Sequence, residues 1–183
     1  NSLLDTVIFG RRAGEAAAEF TRGKSLPETS DSFVRADKNK IQSILDRNKN
    51  GDSVASIRLA MGTVMNQHLA VFRNEEGMQS ALKTIQELKE RCVNVPVQDK
   101  GSVFNTSIIF ALELEFMLDC TEAICLGALS RKESRGAHFR TDMPDRDDVN
   151  YLKHTVVTLN QDGPSVDFSP VTITHWQPEV RKY

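Results

Sequence analysis

The chain has 183 residues, of which 39% are hydrophobic, so it is long enough to bury a core of its own. Its 23 basic and 25 acidic residues nearly balance, which excludes a protein that holds nucleic acid through a strong net positive charge. Three cysteines without a CxxC spacing predict neither a disulfide framework nor a zinc site, and they indicate a reducing compartment. No apolar run approaches the roughly 20 residues that a membrane-spanning helix needs.

The first predicted element is a helix over residues 1–20. Asn1 or Ser2 can cap its first turn, and an apolar face follows. Gly10 and Gly14 lie four residues apart in this helix, and each costs about 1 kcal/mol relative to alanine. That cost is tolerable where another backbone approaches closely, so the pattern predicts a packed helix. The sequence begins directly at the helix start without an initiating methionine, and we expect it to be an excised piece of a longer protein.

A linker and a helical region come next. Residues 23–33 contain Gly23, Pro27 and several hydroxyl side chains, which is typical of a linker. Within residues 34–131, a short helix is predicted around residues 41–45. Apolar residues then recur at spacings of three and four in three stretches, which are residues 53–71, 78–92 and 105–130. Three helices joined by short polar turns predict an up-down-up bundle.

The character of the sequence changes after residue 131. Residues 131–148, here called the ionic loop, are dense in arginine, aspartate and glutamate, and we expect an ordered loop. Residues 153–159 and 166–173 are rich in β-branched side chains and are separated by an Asn-Gln-Asp-Gly-Pro turn. This pattern predicts a β-hairpin. The predicted fold is therefore mainly α, with a small β region near the C-terminus.

Several motifs, found in one order along the chain, resemble the flavoprotein subunit of succinate dehydrogenase and fumarate reductase. They are Asn1-Ser-Leu-Leu-Asp5 with Phe9-Gly-Arg11, Ser102-Val-Phe-Asn-Thr106, Lys132-Glu-Ser-Arg-Gly-Ala-His138 with Arg146-Asp-Asp148, and Leu152-Lys-His-Thr155. The resemblance implies that the chain is the C-terminal part of that subunit. Residues 1–22 would be the last helix of the FAD-binding domain and residues 23–33 the linker. Residues 34–131 would form a three-helix bundle similar to a spectrin repeat, and residues 132–183 the ionic loop, hairpin and tail.

The resemblance also implies where the cofactor lies. In that family the helix that corresponds to residues 1–20 begins at the flavin ring, so Ser2 and Leu3 are expected to contact FAD. The free N–H groups and the dipole of a first helical turn can stabilise negative charge on a reduced flavin. No catalytic residue is expected in this chain, because the family's substrate-binding arginines and histidines lie upstream. No metal site is predicted.

For the whole protein, the resemblance implies interconversion of succinate and fumarate, with electrons passing from FAD to an iron-sulfur subunit. The implied partners are this iron-sulfur subunit, the remainder of the flavoprotein and, indirectly, membrane-anchor subunits on the cytoplasmic side of the membrane. The dicarboxylate is the implied substrate, and no nucleic acid is expected. We expect the fragment alone to be an inactive scaffold and interface.

Two alternative identities stay open at this stage. A self-contained helical module that binds a partner protein through one bundle face would show the same periodicity. L-aspartate oxidase, a related flavoprotein, shares the helix start and a version of the Ser-Arg-Gly loop. The sequence Ser-Arg-Gly-Ala-His at residues 134–138 and the long hairpin fit that enzyme less well.

Two groups of charged residues suggest other sites. In the ionic loop, three arginines and a histidine could bind a dicarboxylate, although the acidic residues nearby favour a structural salt-bridge network or a docking surface. They are Arg131, Arg135, His138 and Arg140. In the bundle, the glutamates of residues 113–122 lack the Glu-x-x-His pattern of a di-iron site. We therefore predict that these glutamates, Glu122 included, are solvated or interface charges.

Overall fold

The computed structural model describes residues 2–48 and 50–179 and confirms a mainly helical chain with a small β-hairpin. It divides into two compact units, Asn1–Asn39 (unit 1) and Lys40–Tyr183 (unit 2). The helices are α1 (Ser2–Thr21), α2 (Asp31–Leu45), α3 (Val54–His68), α4 (Glu75–Cys92), α5 (Thr106–Ser130) and α6 (Asp148–Tyr151). The strands are β1 (Phe72–Arg73), β2 (Phe139–Arg140), β3 (Lys153–Asn160) and β4 (Gly163–Pro170). Among the described residues, no helix is long and apolar enough to cross a membrane.

Unit 1 contains α1, whose apolar face has no cover within the unit. None of the described residues up to 39 is buried, and Leu3 and Phe9 are 84% and 60% exposed. A side chain added at Gly10 or Gly14 would meet nothing within 4 Å. The close packing predicted for this helix is therefore absent from unit 1.

Side-chain caps set the starts of the three long helices of unit 2. Ser53 accepts a hydrogen bond from the backbone N–H of Ser56 before α3, and Asn74 accepts one from Gly77 before α4. Asn105 caps α5 in the same way. Each cap satisfies a backbone donor that has no partner within its helix.

The core of unit 2 lies where α4 packs against both α3 and α5. Buried apolar side chains of this core come from all three helices and include Ile57, Met61, Met78, Ile85, Leu88, Leu114, Leu118 and Cys125. These positions carry the predicted three-and-four spacing. The periodicity of the sequence therefore located the core, whereas the likeness to a spectrin repeat stays a prediction.

The predicted hairpin is present, with shifted strand ends. Strand β3 pairs antiparallel with β4, and Asn160 faces Gly163 across the turn. Gly163 has a φ of +112°, a conformation that glycine adopts without steric cost. The second strand ends at Pro170, although β-branched residues continue to residue 173. Pro170 already pairs with Lys153, the first residue of β3, so the later residues have no partner strand.

A short parallel contact joins two distant parts of unit 2. Strand β1, in the connection between α3 and α4, pairs with β2 in the ionic loop, with Phe72 opposite Phe139. The two rings meet edge to face with centroids 5.7 Å apart. The backbone N–H of Thr141 donates to the Arg73 carbonyl at 2.8 Å. The ionic loop is thereby attached to the beginning of α4.

Candidate functional site

Ser2 and Leu3, the residues predicted to contact the cofactor, lie in the first turn of α1. The Leu3 carbonyl accepts a hydrogen bond from the Thr6 hydroxyl at 2.8 Å, so the turn is well formed. Asn1, the other predicted cap, lies outside the described residues. Because the N–H groups of a first helical turn have no acceptor within the helix, they can donate to a ligand. This donor set fits the carbonyl-bearing edge of a flavin ring.

Glu133 is the centre of the ionic loop and is completely buried. Arg135 donates to it from two nitrogens, from Nε to Oε1 at 2.8 Å and from Nη2 to Oε2 at 3.0 Å, and Arg131 binds it as well. The backbone N–H of Asp147 donates to Oε2 at 2.7 Å. Burial alone would raise the pKa of Glu133, but these hydrogen bonds outweigh burial and hold the pKa below its usual value. Glu133 is thus a buried, charged anchor for two arginines.

Arg140 is the second buried ion of the loop and reaches back to α4. Its guanidinium binds Asp142 through Nε at 3.0 Å and Nη2 at 2.6 Å, and Nη2 also lies 2.6 Å from Glu75. Asp142 in turn accepts the backbone N–H of Glu75 at 3.0 Å, which gives α4 a second cap beside Asn74. The hydrogen bonds from Arg140 hold the pKa of Asp142 well below its usual range.

The end of the loop is fixed by Arg146. It binds Asp148 with two nitrogens, at 2.7 and 2.5 Å, and donates to the Glu179 carbonyl at 2.6 Å. Hydrogen bonds from Arg146 and Arg135 lower the pKa of Asp148 to about 2. One arginine therefore ties the C-terminal tail to the loop.

These contacts decide between the two interpretations of the ionic loop. Arg131, Arg135 and Arg140 each bind at least one carboxylate of this chain. A dicarboxylate ligand would have to displace those partners, and Glu133 would then be a buried, uncompensated charge. The geometry supports the structural salt-bridge network and not a dicarboxylate site.

The glutamates of α5 differ from the prediction at one position. Glu122 is only 6% exposed, so its predicted place among the solvated or interface charges is wrong. It accepts hydrogen bonds from Lys89 at 2.6 Å and from Gln86 at 3.1 Å, and these contacts make its burial tolerable. Within residues 2–48 and 50–179, no group of three or more His, Cys, Asp or Glu side chains could hold a metal ion.

A cleft of about 240 Å³ lies beside these ion pairs, between α4 and α5. Its charged side chains already pair within the chain, since Arg47 binds Glu115 at 3.2 Å and Lys89 binds Asp119 at 2.7 Å. Cys92 lines the cleft, and burial raises the pKa of its thiol. The cleft therefore offers neither a free ion nor a reactive thiolate.

The sequence did not indicate that Arg73, Glu75 and Asp142 belong to one network. Arg73 and Glu75 are separated from the ionic loop by about 65 residues, and no motif connects them. Two short signals were available: the acidic first turn of α4, and the Arg-Thr-Asp order of residues 140–142. Neither signal identifies its partner.

Comparisons with known proteins cover the whole chain. Residues 58–183 match the family model described as the C-terminal part of the fumarate reductase flavoprotein. The chain is 42% identical to the fumarate reductase flavoprotein subunit of Haemophilus influenzae, over 100% of this chain and 31% of that protein. It is 38% identical to the succinate dehydrogenase flavoprotein subunit of Rickettsia bellii, over 99% of this chain and 30% of that protein.

A solved structure of Escherichia coli quinol fumarate reductase has the same fold. It matches 98% of this chain and 31% of that chain with a TM-score of 0.88 and 36% sequence identity. The chain therefore spans about a third of the length of the relatives that it matches. These matches disfavour a self-contained helical interaction module. The chain belongs to the family of succinate dehydrogenase and fumarate reductase flavoprotein subunits, of which it represents the C-terminal region.

Proposed function

We propose that this chain is the C-terminal part of an FAD-dependent flavoprotein that interconverts succinate and fumarate. The observation that carries the proposal is the 42% identity to a fumarate reductase flavoprotein subunit along the full length of the chain. The order of motifs from residue 1 to residue 155 supports the same assignment. When bound, FAD supplies the electron transfer between the dicarboxylate and an iron-sulfur subunit.

Within that protein, the first turn of α1 contributes to flavin binding. The N–H groups of Ser2 and Leu3 would donate to the flavin edge that becomes negative on reduction, with the helix dipole in the favourable direction. Most of FAD is bound by residues outside this chain. No residue of the chain is assigned a catalytic role, so the fragment alone is expected to be inactive.

The remainder of the chain is a brace. Helices α3, α4 and α5 form a three-helix, spectrin-repeat-like bundle that supports the flavin domain and part of the contact with the iron-sulfur subunit. The buried ion pairs of the ionic loop support this role, because they attach the loop to the start of α4 and to the tail. Anchor subunits would hold the complex on the cytoplasmic side of the membrane.

A proline at position 3 tests the flavin contact in the full-length flavoprotein. Leu3→Pro removes one backbone N–H, and the first helical turn tolerates proline. Losing one hydrogen bond to the charged form should lower the midpoint potential of the flavin by about 30–60 mV. The measurement is a redox titration of the flavin absorbance at equal flavin occupancy.

Leu3→Ala is the matched control, because it shortens the same side chain but keeps the N–H group. Its flavin potential should equal that of the unmodified protein. If the proline and alanine variants share one potential, the backbone of Leu3 does not contact the flavin.

A further inference from the structure

The contact between β1 and β2 contains an arginine that binds a histidine instead of a carboxylate. Nη1 of Arg73 lies 3.0 Å from Nδ1 of His138, and Nε of Arg73 donates to the Ala70 carbonyl at 2.9 Å. In the part of the chain that the structure describes, no carboxylate lies within 4 Å of this guanidinium. The histidine is therefore the only side chain in that part that accepts a hydrogen bond from Arg73.

The chemistry of the partners determines the state of the His138 ring. A guanidinium only donates hydrogen bonds, so Nδ1 must be the unprotonated acceptor. Nε2 lies 3.3 Å from the Arg131 carbonyl, which only accepts, so Nε2 carries the hydrogen. His138 is thus a neutral Nε2–H tautomer, because Arg73 requires an unprotonated Nδ1 and the Arg131 carbonyl requires a hydrogen on Nε2.

We propose that His138 is a pH-sensitive latch that keeps β1 and β2 together when neutral and opens their contact when protonated. A proton can enter only at Nδ1, where it would face the Arg73 guanidinium at 3.0 Å. The hydrogen bond would be replaced by two donors and two like charges at contact distance. The Arg73 side chain would then have to leave.

Three cations of the described residues act on the ring and favour its neutral state. They are Arg73 from β1, Arg131 from the end of α5 and Arg140 from β2. Burial and these three cations hold the pKa of His138 below its usual value, although the hydrogen bond to the Arg131 carbonyl acts in the opposite direction. The carboxylates that bind two of these arginines are already paired, because Glu133 pairs with Arg131 while Glu75 and Asp142 pair with Arg140.

Opening would be local, because other bonds keep α4 in place. The ion pair of Arg140 with Glu75 does not involve His138. The edge-to-face pair of Phe72 and Phe139 lies next to the latch in both strands, and Phe72 is already 69% exposed. When the contact between β1 and β2 opens, these two rings separate and expose an aromatic surface next to the ionic loop.

The sign of the pH effect on stability follows from the lowered pKa. As the pH falls below about 6.5, the unfolded chain takes up the proton before the folded chain does. The free energy of unfolding must then decrease as the pH falls through this window. The stabilising contribution of neutral His138 is fully present above about pH 6.5. His138→Gln should remove this part of the pH dependence.

The test is an NMR titration of the 183-residue chain, with long-range ¹H–¹⁵N spectra of the histidines. We expect an Nε2–H tautomer for His138 at pH 7.5 and a titration midpoint below 6.5. Across that midpoint, amide exchange in residues 72–73 and 139–141 should become about tenfold faster than the intrinsic pH dependence allows. Arg73→Gln keeps a donor but removes the charge, so it should raise the His138 midpoint.

His175→Gln is the control, because His175 is exposed in the tail, and it should leave the midpoint and the exchange unchanged. Three results would each overturn the proposal: an Nδ1–H tautomer, a midpoint at or above 6.5, or exchange that is insensitive to the titration. Exchange measured by mass spectrometry on the full-length flavoprotein provides the same comparison where the shorter chain gives poor spectra. Since the latch lies entirely in unit 2, its test is independent of the flavin contact at Leu3.

Discussion

Glu133→Gln is expected to lower the free energy of unfolding by about 3 kcal/mol, the low end of the range for breaking a buried ion pair. The substitution keeps the shape of the side chain but removes the charge that Arg131 and Arg135 share. Arg135 is partly exposed and can recover some hydration, which is why the low end applies. Urea denaturation of the 183-residue chain, followed by far-ultraviolet circular dichroism, measures the difference.

Glu113→Gln provides the matched control for that experiment. Glu113 lies on the exposed side of α5, and its substitution should change the free energy of unfolding by less than about 0.5 kcal/mol. Similar losses in both variants would mean that Glu133 contributes no more than a surface charge. The ionic loop would then not be held by a buried anion.

Leu118→Ala is expected to lower the free energy of unfolding by about 3 kcal/mol. Leu118 is 1% exposed and lies in the core formed by α3, α4 and α5. Truncating a buried leucine removes the hydrophobic stabilisation from its buried methyl groups. It also leaves a cavity that the neighbouring side chains fill only in part, and the total cost is about 2–5 kcal/mol. The same denaturation experiment reports this loss.

Ile124→Ala on the same helix is the comparison. Ile124 is 51% exposed, so its truncation should change the free energy of unfolding by about 0.5 kcal/mol or less in the 183-residue chain. A loss at Ile124 as large as that at Leu118 would contradict the orientation of α5, in which Leu118 faces the core and Ile124 is exposed.

Local signals explain why the helices and the hairpin were predictable. The three-and-four spacing of Ile57, Met61 and Val64 repeats along the buried side of α3, so a single stretch of sequence defines its core face. The Asn-Gln-Asp-Gly-Pro turn likewise identifies the hairpin without knowledge of the rest of the chain. These elements depend on neighbours in sequence.

The charge-rich helix α2 was harder to place. The sequence predicted a short helix around residues 41–45, whereas α2 extends from Asp31 to Leu45 and has a single buried residue, Ile44. Between Val34 and Ile41 the sequence is Arg-Ala-Asp-Lys-Asn-Lys, so the apolar spacing is interrupted in the middle of the helix. The start of α2 falls inside the predicted linker of residues 23–33, and the domain boundaries stay predictions.

The contacts of the ionic loop could not be predicted, because they join residues that are far apart in sequence. Arg73 and His138 are 65 residues apart, and the strands that bring them together have two residues each. Strands of that length leave no alternation to recognise. Composition predicted that the ions would pair among themselves, but only the tertiary structure shows that Glu75 is one of the partners.

The proposed cofactor contact has a different origin. The residues themselves indicate no more than a helix start at Ser2 and Leu3, and a capped helix is a common feature of proteins without a cofactor. The resemblance to the flavoprotein family supplied the flavin. This part of the proposal therefore depends on the full-length protein and must be tested there.

The most direct test of the central proposal is the flavin content of two purified proteins, measured by absorbance after denaturation. The full-length flavoprotein that contains this chain is predicted to hold one FAD per polypeptide, and the 183-residue chain alone is predicted to hold none. A full-length protein without flavin, or a 183-residue chain that binds FAD stoichiometrically, would contradict the assignment of this chain as the C-terminal brace of a flavoprotein.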